Sequence, residues 1–241
     1  MRKTPMSLSF DESPSGFTPP LPSTADRAVA LSSRAHFCGH VVIGDGSGRG
    51  GVSGTPARVV QVESHLELCW CLCLSIRPDI VDLREQAAFD WFDEDGECRT
   101  HFFDLLVTRN DGSRIACAVR PLARASERFK RQMSRIASQV RACGFAADVR
   151  LLTDKDLDPV ELHNAQLLHG VRTGSSLADA AAAKVLAGLS GRTSLADLTS
   201  RTGLEAAGFR ALLRLLRSAH LRLVRSERIT PASMVYKEHN L

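Results

Sequence analysis

The sequence predicts a mixed α/β core followed by a smaller helical unit. Three observations predict it. A helical run that stops at Pro78 is followed by three strand-like runs joined through Asp95-Gly96 and Asp111-Gly112. A long arginine-bearing helix and a short apolar strand come next. Beyond Thr173 the pattern becomes three helices closed by two strand-like pieces.

The elements follow in order. Residues 1–54 read as a flexible tail, with Pro19-Pro20, many serines and the stretch GDGSGRGGVSG from Gly44 to Gly54. Phe37 to Ile43 is short and apolar enough for a transient strand. The glycine run lacks the Gly-Lys-Ser/Thr of a phosphate loop and reads as a linker. Order is expected from near Pro56, with a helix over Ala57 to Ser75. Strands are expected over Ile80 to Phe92, Cys98 to Thr108 and Ser113 to Arg120. A helix from about Leu122 to Cys143 ends at Gly144, a strand covers Ala146 to Leu152, and Thr153 or Asp154 caps a helix through Gln166. This order, α-β-β-β-α-β-α, implies a layered α/β domain over 55–170.

Residues 171–241 form the second unit. Leu177 to Leu189 is alanine-rich and helical. Ser194 caps a short helix that ends at Gly203, and a third helix runs from Leu204 to about Ala219. Leu221 to Arg225 and Ser233 to Lys237 then read as strands. Three helices with a glycine turn and a terminal hairpin predict a winged helix-turn-helix.

Composition narrows the class. At 241 residues and 44% hydrophobic content the chain can bury a core without disulfides, which excludes a collagen, a coiled-coil rod and a wholly disordered protein. No apolar run is long enough for a transmembrane helix, and the N-terminus lacks the apolar segment of a signal peptide. The seven cysteines form no Cys-x-x-Cys pair. Cys69, Cys71 and Cys73 read as small buried hydrophobes in a reducing cytoplasm. His65 and His101 lack zinc-spaced partners.

The net charge of +4 conceals a partition. Acids dominate from Asp79 to Asp111. Arg124, Arg128, Lys130, Arg131 and Arg135 crowd the following helix, and Arg210, Arg214 and Arg217 recur along one stripe of the third C-terminal helix. Clustered arginines on helices are an electrostatic footprint for nucleic-acid phosphates, or else a solvated helix face.

The chemistry centres on acids. Glu63 and Glu67 are expected one turn apart on the first helix. Asp104 stands inside the apolar strand His101 to Val107. A buried carboxylate there must be hydrogen-bonded, paired with Arg120 on the adjacent strand, or bound to a cation.

An acid on the first helix, an acid on the second strand and an x-x-Lys on the third make the restriction-endonuclease-like arrangement, which the order of elements and acids here resembles. The wording Glu63-Ser64-His65-Leu66-Glu67, Arg77-Pro78-Asp79, Arg84-Glu85-Gln86 and Phe103-Asp104-Leu105-Leu106-Val107 is similar to the TnsA family, the endonuclease subunits of heteromeric transposases. The resemblance covers about Pro56 to Leu157. It implies Mg²⁺ or Mn²⁺ held by Glu63 or Glu67 with Asp104, a role for Gln86, DNA as substrate, and a transposase partner with an ATPase regulator. It departs at the third strand. Where the family carries Glu/Gln-Val-Lys, this chain reads Ala118-Val119-Arg120, so Ala118 supplies no side-chain ligand, although a backbone carbonyl nearby could serve. Arg120 keeps a charge that can hold phosphate but cannot act as a lysine-like base. Two readings follow: a metal-dependent DNA endonuclease with Glu63, Asp104 and Arg120 as catalytic residues, or a non-cutting DNA-binding and scaffolding module. A transcriptional regulator with a sensing domain is a third.

Overall fold

The computed structural model describes residues 19–29, 37–44 and 52–238. The glycine-rich 45–51, like 1–18 and 30–36 of the expected tail, lies outside the described residues. The rest of that segment is part of the fold. Strand β1 (Gly39–Ile43) pairs antiparallel with β2 (Arg58–Val62). Residues 19–29 run alongside, with Leu21 bridged to Arg58. Gly44 leaves β1 at a φ of +76°, where a Cβ would lie 2.6 Å from the Thr55 carbonyl, so only glycine fits the approach.

The helix expected over Ala57 to Ser75 is therefore a strand and a shorter helix. In β2, Val60 and Val62 alternate inward at period two. Ser64 then begins α1 (His65–Ser75): its Oγ accepts from Glu67 N–H, while the Glu67 carboxylate accepts from Glu63 N–H, a variant of the capping box. Glu63 thus precedes the helix instead of lying on it. Every residue from Cys69 to Ser75 is buried, because β1 and β2, the main sheet and α3 (Pro159–Gly170) all pack around α1. The cysteines of α1 are free thiols, and burial pushes those of Cys71 and Cys73 up to about 12.

The main sheet has four strands in the order β3 (Ile80–Phe92), β4 (Cys98–Arg109), β5 (Arg114–Val119) and β6 (Asp148–Leu152). The first two junctions are antiparallel and β5–β6 is parallel. The crossover between β5 and β6 carries a 3₁₀ turn (Leu122–Arg124) and α2 (Glu127–Ala142), capped by Ser126. Ile136 and Val140 of α2 pack against Ala87, Phe89, Phe103 and Ala116. Asp158, with Pro159 at the first helical position, caps α3, later than the expected Thr153 or Asp154.

One irregularity shapes this sheet. Leu83 of β3 joins the core around α1, whereas Ala87, Phe89 and Trp91 join the core under α2. In β4, Leu105 and Val107 face α1 while Phe103 faces α2. An unbroken strand keeps residues two apart on one face. Both strands change face between the pairs Glu85–Leu105 and Ala87–Phe103, which leaves Gln86 opposite Asp104. Gln86 has a φ of +48°, the left-handed backbone that the change of face uses.

The C-terminal unit contains α4 (Ser176–Ala187), β7 (Arg192–Ser194), α5 (Leu195–Thr202), α6 (Glu205–Arg217), β8 (Leu221–Leu223) and β9 (Met234–Lys237). Ser194 caps α5, and Gly203 ends it in the left-handed conformation. The expected hairpin is a three-stranded sheet in the order β7-β9-β8. Helix α3 joins the two cores: Ala165 packs with α1, and Leu168 packs with the helices of this unit. Asn164 adds two bonds, from Nδ2 to Glu227 O at 2.8 Å and to Oδ1 from Ile229 N–H at 2.9 Å.

Candidate carboxylate centre and basic surface

The change of face in β3 and β4 lies beside the start of α1, and Glu63, Glu67, Gln86 and Asp104 meet there. Ladder interruptions recur next to functional sites because they re-aim side chains. Asp104 is partly buried, and its Oδ2 accepts from Val119 N–H at 2.6 Å. Burial first, then the charge of Glu67, pushes its carboxyl up to about 7, against the opposing Val119 bond. Burial likewise raises the Glu67 carboxyl above the usual range. The sequence-predicted acids thus share one electrostatic neighbourhood.

The cation among them is Arg27, from the segment read as tail. Its guanidinium engages both oxygens of Glu63, with Nη1 to Oε1 at 3.0 Å and Nη2 to Oε2. Its Nε donates to Gln86 Oε1 at 2.8 Å, and its face lies 5.2 Å from the Phe102 ring centre. Nothing local in the sequence marks Arg27, since its partners are 36 and 59 residues away.

Arg120, expected at this centre, is directed elsewhere. Its guanidinium stacks 4.1 Å over Phe129 and reaches Arg124 O at 3.4 Å. Among the described residues Asp104 has no ion pair, so the alternative of an Asp104–Arg120 bridge is not formed. Ala118 is buried under α2.

These donors do not fit the divalent ion that the resemblance implies. Both Glu63 oxygens are engaged by Arg27. Both Glu67 oxygens close the cap, accepting from Glu63 N–H and Ser64 Oγ at 2.8 Å each. One Asp104 oxygen holds Val119. Among the described residues no group of three or more His, Cys, Asp or Glu side chains is arranged to hold a metal ion.

The basic residues divide in the same way. Arg124, Arg128 and Arg131 are exposed. Lys130 pairs with Glu127 at 2.8 Å, and Arg135 pairs with Glu94 at 3.4 Å. Arg99, Arg128, Arg131 and Arg135 line an open cleft of about 650 Å³ together with Asp93 and Glu94. The stripe expected on α6 does not form a common exposed face. Arg210 is exposed, but Arg214 turns inward to Asp179 at 2.6 Å, and Arg217 is buried with Nη1 toward Leu168 O at 3.4 Å. The reason is spacing: positions 214 and 217 flank the apolar face of Leu213 and Leu216, which packs toward the other helices.

No protein-family model matches this chain, and no curated protein matches it. Among the described residues no helix is long and apolar enough to cross a membrane.

Proposed function

We propose that this chain is a TnsA-like subunit of a heteromeric transposase, with a restriction-endonuclease-like core and a winged helix-turn-helix, and that it acts at transposon ends as a DNA-binding and scaffolding module. The observation that carries this reading is the meeting of Glu63, Glu67, Gln86 and Asp104 at the change of face in a β3-β4-β5-β6 sheet, with Arg27 closing Glu63. A transposase partner and an ATPase regulator belong to the same reading, as does a cytoplasmic location.

Within it, the core's own residues have separable tasks. Arg124, Arg128 and Arg131 offer charge to phosphates. Val119 N–H holds the Asp104 carboxyl in place, and burial keeps its protonation shifted against that bond. A second reading is metal-dependent strand cleavage, favoured by the convergence of the same acids. Mg²⁺ or Mn²⁺ would there supply Lewis acidity for phosphodiester hydrolysis, and the donors as folded do not accommodate it.

The test uses purified chain with its transposase partner on transposon-end DNA in Mg²⁺ or Mn²⁺. The scaffolding reading expects salt-sensitive binding without nicking. Nicking that disappears in Asp104→Ala would establish the second reading in its place, and salt-insensitive binding would remove the first.

A further inference from the structure

We infer that Arg27 is the resident cation of the carboxylate centre, and that the segment carrying it must be displaced before a divalent ion can enter. The inference rests on the reading of Glu63, Glu67 and Asp104 as the acids of that centre.

Arg27 makes the contacts of an occupant. It engages both oxygens of Glu63, takes the Gln86 side-chain oxygen, and covers one face with Phe102. A guanidinium fork matches a carboxylate edge with two parallel bonds, so Glu63 has no oxygen left facing a second cation along that edge. The charge of Arg27 also acts on Glu67 and Asp104, in each case favouring the ionised form. Arg27 therefore supplies positive charge that Arg120, stacked on Phe129, does not bring to these acids.

The segment is fastened in a way that permits release. Leu21 N–H donates to Ala57 O at 2.7 Å, and Leu21 O accepts from Val59 N–H at 2.9 Å. Ser23 bonds Glu85, and Asp26 pairs with Arg84 and accepts from Ala88 N–H at 2.8 Å. Val29 N–H reaches Gln61 Oε1 at 3.1 Å. Among residues 19–29 only Val29 is a buried hydrophobe. Polar bonds exchange readily with water, and a segment with little apolar burial opens far below the global unfolding free energy. The closed arrangement also leaves the buried Gln86 Nε2 without a partner among the described residues.

The experiment measures Mn²⁺ uptake by the full chain, without DNA, from the paramagnetic resonance of the free ion. Wild type is expected to bind weakly. Arg27→Gln should bind at least about tenfold more tightly, a difference easily resolved in a titration. Glu63→Gln added to Arg27→Gln should abolish the gain. Arg27→Lys, which keeps the charge but loses the fork, gives a smaller gain and serves if Arg27→Gln does not fold. A third measurement needs no variant: saturating Mn²⁺ on wild type should speed amide exchange at Val59 and Ala88 as the segment leaves. Unchanged uptake in folded variants, a gain that survives Glu63→Gln, or undiminished protection at Val59 and Ala88 would each overturn the inference. Strand cleavage is not a readout. A variant that takes up Mn²⁺ and cuts no DNA leaves Arg27 as the resident cation and counts only against the cleavage reading.

Discussion

The Glu67 carboxylate shows how one side chain satisfies a sequence pattern in two incompatible ways. As an acid near Asp104 it reads as a ligand; as the fourth residue of Ser64-x-x-Glu67 it reads as a helix cap, and the cap is what forms. Orphan N–H groups at a helix start need an acceptor whether or not an ion is present. His169 gives a residue-scale prediction. Burial, then the charges of Arg172 and Arg217, depress its imidazole to about 4, and Arg172 Nη1 lies 3.4 Å from its Nε2. The value in the folded chain lies below the 6.5 of the free side chain, so the unfolded chain binds the proton first as pH falls. Stability is therefore full above about 6.5 and is lost as pH falls toward 4. His169→Gln, which cannot titrate, should flatten this acid limb by about 1–2 kcal/mol, less than the full linkage because the site is only partly buried. Urea titrations at pH 7.5 and 4.5 measure it. An unchanged difference between the two pH values would show that His169 does not contribute.

Among elements, legibility followed the range of the physics. The Asp-Gly turns that bound β4, the Ser194 and Gly203 ends of α5 and the β5-α2-β6 crossover are fixed by residues adjacent in sequence, and each was legible. The boundary between β2 and α1 was also marked, by Ser64-x-x-Glu67 and by the alternation of Val60 and Val62, but the longer helical pattern through Leu66 and Leu72 masks it. The placement of 19–29 was not legible: its anchors, Glu63, Glu85 and Gln86, are brought there only by the folded sheet. The contact between α5 and α6 supplies a prediction. Gly208 is buried where the helices cross, and a Cβ there would collide with the Thr202 hydroxyl and lie 3.0 Å from its Cβ. Thr202 Oγ1 already donates to Thr199 O at 2.7 Å, so it cannot turn away without losing that bond. Although alanine favours helix, Gly208→Ala should destabilise by about 1–3 kcal/mol through overpacking. Thermal unfolding reads it, and combining it with Thr202→Ala, which removes the colliding hydroxyl, should recover part of the loss. Equal loss in the single and double variants would place the strain elsewhere.

At the scale of the whole molecule, a net charge of +4 is the remainder of internal pairing. The acidic hairpin between β3 and β4 folds back on the basic chain, with Asp93 on Arg99 at 2.7 Å and Glu94 on Arg135 at 3.4 Å. Arg214 and Arg217 serve the joint between α6, α4 and α3, which sequence spacing cannot separate from a DNA-facing stripe because both uses recur at helical period. The charge free to meet phosphate is therefore smaller than the arginine content suggests. This separates two classes of arginine in one experiment. Replacing Arg124, Arg128 and Arg131 together by Gln should weaken DNA binding and reduce the slope of log affinity against log salt by up to about 2.7, at about 0.9 for each phosphate no longer neutralised. The three are exposed, so the thermal midpoint should hold. Arg214→Gln should do the reverse. It leaves Asp179 Oδ1 without the Nε hydrogen bond at 2.7 Å and the Nη2 ion-pair contact at 2.6 Å, and costs roughly 1–3 kcal/mol of stability with the salt slope intact. A slope that responds to Arg214 and not to Arg124, Arg128 and Arg131 would move the DNA surface to α6 and reverse the assignment of both groups.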